Sequence, residues 1–171
     1  MNRELEQTSS DNIRKCIRLL NTIATFHMRE LNYEIAKKVF DDAISLYNQY
    51  QEVTLTKDEV LENLMIAVYF NLARLHYRQE AWTIALKIFQ KSLNMVFEQD
   101  QQHPQLAEIY NCLELTYAHR KDCLKAKHYH RLAVKLAEKI LPYGHPDLQR
   151  YQYQLEITLL QLNRLGIQHS L

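Results

Sequence analysis

Apolar side chains recur at helical spacing in three segments that align with one another, residues 21–44, 70–93 and 111–134. Each segment begins near an apolar residue that is followed four positions later by an aromatic or imidazole ring. Residues four apart lie on the same face of a helix, so this pair marks the packed side of a first helix. The apolar residues are Ile23, Leu72 and Leu113, and the rings are His27, His76 and Tyr117.

The second half of each segment carries an alanine in all three copies, followed four residues later by a bulky ring. We expect the alanine where a second helix packs closest against the first, because a larger side chain there would push the pair apart. A single hairpin cannot bury its own apolar face, so neighbouring hairpins must stack. The alanines are Ala36, Ala85 and Ala126, and the rings are Phe40, Phe89 and His130.

This pattern predicts three helical hairpins followed by one single helix. The predicted helices span residues 10–30, 32–50, 57–79, 81–99, 104–119, 122–140 and 146–165. His103-Pro104 and His145-Pro146 each mark the start of a first helix, because proline is favoured at the first helical position. The sequence from Thr56 to Glu59 is typical of a capping box.

We therefore expect one repeat domain at residues 10–165, between a flexible N-terminus at 1–9 and a tail at 166–171. The predicted repeats within it are 10–50, 57–99 and 104–140, and the helix at 146–165 caps the stack.

The composition agrees with long helices and excludes several functions. The 171 residues include only 2 Gly and 3 Pro, too few for the frequent turns of a sheet protein. The net charge of +1 argues against a nucleic-acid binder, and no apolar stretch is long enough to span a bilayer. The N-terminus lacks the apolar segment of a signal peptide, and three cysteines without CxxC spacing favour reduced thiols. We expect a cytoplasmic protein.

The sequence FNLARLHYRQEAWTIALKIFQKSL (70–93) resembles the tetratricopeptide repeat, and more narrowly its kinesin-light-chain type. AEKILPYGHPDL (137–148) is similar to the loop of that family, and the spacing of 41–42 residues fits its long repeat. The resemblance implies an all-α fold, a right-handed superhelical solenoid of about three hairpins plus a C-terminal capping helix. It also implies a scaffold that binds another protein.

Two features depart from the family pattern. The small residue after the first apolar position is Ala24 or Ala73 in two copies, but Glu114 in the third and Glu156 in the capping helix. A carboxylate cannot be buried unpaired at a tight crossing, so either the hairpin opens or the carboxylate reaches a partner or water. The glycine of the turn is absent from every copy. Its places are taken by Leu31, Glu80 and Lys121.

The resemblance implies that the first helices line a concave groove for a partner peptide. The candidate peptide-binding residues are Arg18, Asn21, Arg29, Phe70, Arg74, Tyr77, Arg78, Asn111, His119, Arg150 and Tyr153. The arginines suit carboxylates, the asparagines suit a peptide main chain, and the rings offer apolar shelves for an anchor side chain. The hypothesis is therefore an adaptor for a peptide with acidic residues, against the alternative that the arginines form a solvated face.

A second hypothesis is a structural subunit that docks through its convex face or its leucine-rich capping helix, and a homo-oligomer stays possible. An enzyme is not expected. The sequence contains no HExxH motif, no glycine-rich phosphate loop and no nucleophile elbow. His119, Cys123 and His128 lack the close paired spacing of a zinc site. We therefore predict no catalytic residue, no metal and no cofactor.

Overall fold

The computed structural model describes residues 2–54, 58–99, 103 and 105–164, without the side chains of 2–9, 99 and 161–163. Within this part of the chain all regular structure is α-helical, which confirms the predicted all-α class. The seven helices are α1 (Asn2–Arg29), α2 (Tyr33–Val53), α3 (Glu59–Arg78), α4 (Trp82–Gln99), α5 (Leu106–His119), α6 (Cys123–Ile140) and α7 (Pro146–Arg164). The chain divides into two compact units, Met1–Gln99 and Asp100–Leu171.

The flexibility expected for residues 1–9 stays a prediction. Helix α1 begins at Asn2, ahead of the predicted start at residue 10, and so includes residues 2–9. This stretch has no glycine or proline to interrupt a helix, which is a reason for it to continue the helix that follows. The predicted tail at 166–171 lies outside the described residues.

The start of α3 differs from the predicted capping box. The N-cap is Asp58, whose Oδ1 accepts a hydrogen bond from the Leu61 backbone N–H at 3.0 Å. Thr56, the cap that the sequence predicts, lies outside the described residues. Aspartate and threonine both cap helices well, so the sequence motif alone did not decide between them.

The turn inside each hairpin has the same backbone geometry without a glycine. Leu31, Glu80 and Lys121 have φ values of 62°, 60° and 61°, in the left-handed region that favours glycine. In each turn the N–H of the next residue donates to the carbonyl five positions earlier, as in a Schellman motif. These bonds are Asn32 to His27, Ala81 to His76 and Asp122 to Tyr117. The left-handed conformation is therefore kept in all three turns, although it costs about 1 kcal/mol of conformational free energy for each non-glycine residue.

The helices that begin after the two His-Pro sequences share one hydrogen bond. His103 Nδ1 accepts from the Gln105 N–H, and His145 Nδ1 accepts from the Asp147 N–H, both at 3.2 Å. Pro146 is the first residue of α7, as predicted, whereas Pro104 lies outside the described residues. Each imidazole thus satisfies a backbone donor at a helix start.

In the first unit, α1, α2 and α3 enclose one apolar core. The alanines at the helix crossings, Ala24, Ala36 and Ala73, are fully buried, as the close approach of paired helices requires. Phe40 is also fully buried in this core, together with Leu61 and other residues of α3. Helix α3 is buried on most of its surface because it packs against this core on one side and against α4 on the other, where Phe70 meets Phe89.

Asp58 connects the start of α3 to α1. Besides its capping bond, its carboxylate accepts from Ser10 Oγ at 2.7 Å and from Arg14 Nε at 2.9 Å. Burial acts to raise the pKa of Asp58, but the bonds from Ser10, Leu61 and Arg14 outweigh it and leave the pKa lowered. The contribution of this carboxylate to stability is therefore present at neutral pH and lost as the pH falls through the lowered pKa, below about 4.

We expect Asp58→Ala to lower the free energy of unfolding by about 2 kcal/mol, because it removes a helix cap and charge-assisted hydrogen bonds. Urea denaturation followed by circular dichroism at pH 7 measures the change. Asp42→Ala, at an exposed position of α2, serves as the control and should have little effect. Equal stability of the two variants would show that Asp58 does not hold α3 to α1.

In the second unit, Glu114 reaches partners at the crossing where the other hairpins carry alanine. Glu114 is 3% exposed, and its Oε1 lies 3.4 Å from His130 Nδ1 and 3.4 Å from Thr158 Oγ1. His130 Nε2 lies 2.6 Å from the Tyr151 carbonyl oxygen, so this nitrogen carries a proton. Of the alternatives open from sequence, the buried carboxylate reaching a partner is the one observed.

Glu114 and His130 replace an apolar pair of the other two repeats. The corresponding residues are Ala24 with Phe40, and Ala73 with Phe89. At 3.4 Å the contact between Glu114 Oε1 and His130 Nδ1 is long for a hydrogen bond, and it is an ion pair only when both ring nitrogens carry a proton. An apolar pair fills the same place in the first unit without that desolvation cost.

We expect Glu114→Ala and His130→Phe each to lower the free energy of unfolding by about 1–3 kcal/mol, because each leaves a buried polar partner unsatisfied. The double variant restores the pair found in the other repeats and should be more stable than either single variant. Urea denaturation of all four proteins gives the coupling energy. Additive losses in the double variant would contradict the paired role.

Candidate functional site

Helices α1 and α3 lie side by side in the first unit and bring two predicted site residues to their seam. Asn71 Nδ2 donates to Asn21 Oδ1 at 3.0 Å, and Arg78 Nη1 donates to the Met28 carbonyl oxygen at 3.3 Å. Asn71 was not among the predicted residues, although an amide within the apolar run of α3 is a signal for such a contact. The Asn21 oxygen is therefore engaged by the protein itself.

Four predicted arginines lie on these two helices, and we call them the arginine surface: Arg18, Arg29, Arg74 and Arg78. Arg74 is half-buried and the other three are exposed. Among the described residues, none of the four forms an ion pair with a carboxylate, whereas Arg14 of α1 pairs with Asp58 at 2.9 Å. The arginine surface is therefore a local concentration of positive charge on a nearly neutral chain.

Phe70 does not offer the accessible apolar surface that the sequence predicts. It is only 2% exposed, and its ring centroid lies 5.8 Å from that of Phe89. Repeat register gives the direction of a side chain but not the depth at which it lies, and α3 is buried on most sides. The Arg74 guanidinium carbon lies 5.6 Å from the centre of the Phe70 ring, so this ring supports Arg74 from below through a cation–π contact.

Tyr77 lies near the C-terminal end of α3, one residue before Arg78. Its ring meets Trp82 of α4 edge to face, with centroids 5.0 Å apart. The ring is half-buried, so part of it remains accessible beside the arginines. Tyr77 therefore remains a candidate apolar contact for a peptide, as the sequence predicts.

The predicted site residues of the second unit have different surroundings. Asn111 is buried, and its Oδ1 has no hydrogen-bond partner among the described residues. Arg150 pairs with Asp147 at 3.1 Å, which neutralises its charge. His119 and Tyr153 are exposed, and Tyr153 is 64% accessible. Among the predicted site residues of this unit, the one arginine is thus paired, unlike the four of the arginine surface.

The described residues contain no group of three or more His, Cys, Asp or Glu side chains that could hold a metal ion. In the same part of the chain, no helix combines the length and the apolar character needed to cross a membrane.

A model of the tetratricopeptide repeat family matches residues 64–139. Among solved structures, the chain is similar to BtubC (BKLC) from P. vanneervenii, with a TM-score of 0.75 and 15% sequence identity. The match covers 93% of this chain and 60% of that protein, so the chain spans less than two thirds of that protein's length. No curated protein matches the sequence. The structural likeness supports the predicted repeat fold, while the superhelical handedness stays a prediction.

Proposed function

We propose that this chain, in which residues 64–139 match the tetratricopeptide repeat family, is an adaptor whose arginine surface on α1 and α3 binds an acidic peptide segment of another protein. Proteins built from these repeats act as scaffolds for protein–protein interaction. The proposal gives this general role a location and a ligand chemistry. It needs no cofactor and no catalytic step, and we place the protein in the cytoplasm.

The observation that carries the proposal is that the four arginines of α1 and α3 have no carboxylate ion pair among the described residues. Arg74 and Arg78 stand four residues apart on α3, where like charges disfavour the helix by a few tenths of a kcal/mol. A bound carboxylate would relieve this repulsion. Guanidinium groups also bind carboxylates through two parallel hydrogen bonds, which fixes the position of an acidic side chain.

The surroundings of the arginines favour a peptide over a free ion. Phe70 supports Arg74 from below, which limits its freedom before a ligand arrives. Tyr77 lies three residues after Arg74 and so on the same side of α3, and the accessible part of its ring gives an apolar side chain of the peptide a surface to cover. An acidic residue next to an apolar anchor matches both features.

We expect Arg74→Glu/Arg78→Glu to weaken binding of the physiological partner about tenfold to hundredfold, because two charge-assisted contacts are replaced by repulsion. The partner is first identified by affinity purification and mass spectrometry, and calorimetry then measures its affinity for both proteins. Circular dichroism checks that helicity is unchanged.

Lys38→Glu/Lys87→Glu is the matched control. It makes the same change of charge at exposed positions of α2 and α4, away from the arginine surface. Equal weakening by the two double variants would show a general charge effect, and unchanged affinity in the arginine variant would overturn the proposal.

A second candidate function is docking into a larger assembly through α7. Leu148 and Tyr151 of this helix are buried against α5 and α6, whereas Tyr153, Ile157 and Leu160 share another face and are exposed. Their spacing of four and three residues makes a short apolar stripe. Light scattering on the purified chain distinguishes this role, since a clean monomer argues against self-association through α7.

A further inference from the structure

Helix α1 has a second apolar face that its own hairpin does not cover. Cys16, Leu19, Ile23 and Phe26 follow one another at spacings of three, four and three residues, so they share one side of the helix. Leu19, Ile23 and Phe26 are 62%, 45% and 58% exposed, and Cys16 is also exposed. We call these four residues the α1 stripe.

The α1 stripe is separate from the face that α1 turns toward the core. Ile17, Ala24 and Met28 form that inner face and are at most 3% exposed. Single exposed apolar residues are common on protein surfaces and need no explanation. The four residues of the α1 stripe, in contrast, form a continuous surface over about three helical turns. An exposed continuous apolar surface of this kind marks an interaction site.

The repeat register shows what this surface corresponds to. Since Ile23 aligns with Leu72, the residues 49 positions after the stripe lie at the same places on α3. All four are at most 5% exposed, within the core that α1 and α2 share with α3. They are Met65, Val68, Leu72 and Leu75. On α3, therefore, the stripe positions are the ones that the preceding pair of helices covers.

The charges beside the α1 stripe indicate which kind of helix can pack on it. Between Asp11 and Arg29, α1 carries four lysine or arginine residues and one acid, which is paired with Arg14. Lys15 and Arg29 lie along one edge of the stripe at a spacing of two heptads. In a second copy packed antiparallel, Lys15 would oppose Arg29. In a parallel copy, Lys15 would face Leu20 across the seam and gain no carboxylate. Neither arrangement pairs these cations, so a partner helix with carboxylates at this edge is favoured over a second copy.

We propose that the α1 stripe docks an amphipathic helix of another protein, with an apolar seam of the same spacing and carboxylates along the edge that meets Lys15 and Arg29. The docked helix takes the place that a preceding hairpin takes on α3. This site is on a different side of α1 from the core. It shares Arg29 with the arginine surface, but the argument for it does not use Arg74, Tyr77 or Arg78.

The test uses a fluorescent, helix-stabilised peptide of about four heptads, with leucine at positions a and d and glutamate at e and g. A second peptide carries lysine in place of every glutamate. Fluorescence anisotropy with the full chain measures both affinities. We expect the glutamate peptide to bind and the lysine peptide to bind at least about tenfold more weakly, because only the former complements Lys15 and Arg29.

We expect Leu19→Glu/Phe26→Glu to weaken the glutamate peptide at least about tenfold, since it places charges in the apolar seam. Leu124→Glu is the matched control, because Leu124 is also 62% exposed but lies on α6. Arg74→Glu/Arg78→Glu should leave this binding unchanged, so failure of the arginine surface and failure of the α1 stripe are distinguishable.

Alkylation of Cys16 supplies a measurement that needs no stripe variant. The glutamate peptide should slow the reaction of Cys16 with iodoacetamide severalfold, and Cys123 in the second unit serves as the internal reference. Three results would overturn the proposal: equal binding of the lysine peptide, no protection of Cys16, or no effect of the stripe substitutions. Sedimentation that shows a dimer lost in Leu19→Glu/Phe26→Glu would instead assign the stripe to a second copy.

Discussion

The structure depends on the fact that a pair of helices cannot bury all of its own apolar surface. Alanine at the crossing lets the two helices of a hairpin come close, but one side of the pair still requires a neighbour. In the first unit α3 supplies part of that cover and is itself covered, so Met65 and Leu72 are buried against α1 and α2. The burial of these α3 residues and the exposure of the α1 stripe both follow from which helix faces have a neighbour.

The same crossing is built in two chemical ways. Two copies of the repeat use alanine and phenylalanine, while the third uses Glu114 and His130 with help from Thr158 and the Tyr151 carbonyl. The two positions must change together, because a carboxylate beside phenylalanine or a histidine beside alanine would lose its polar partner. The polar pair also involves α7, which gives the last helix a specific contact in the second unit.

Helical periodicity was sufficient to predict the seven helices, because each has a repeated apolar face and a turn of known geometry. The resemblance to the repeat pattern identified the three turn positions, where Leu31, Glu80 and Lys121 adopt the conformation of the missing glycine. It could not give the depth of Phe70, which it implies to be a groove residue but which is buried beneath Arg74. Depth depends on neighbouring helices, and a local pattern does not contain them.

Ile23 also shows that the local pattern does not determine burial, but here the residue is more exposed than its repeat position suggests. It occupies the apolar position of the repeat and its counterpart Leu72 is buried, yet Ile23 is 45% exposed. The pattern states that a face is apolar and leaves open what covers it. The candidate site is affected in the same way. The sequence could group the arginines by register, but it could not show that Arg150 is paired with Asp147 while Arg74 and Arg78 form no ion pair with a described carboxylate.

The direct test of this dependence on neighbours is the behaviour of the first hairpin alone, as a peptide of residues 1–54. Circular dichroism as a function of temperature and urea, at concentrations where the peptide is monomeric, measures its helicity and cooperativity. Stacking as the source of stability predicts low helicity and a broad, non-cooperative transition. A cooperative unfolding transition in the isolated monomeric hairpin would contradict the account.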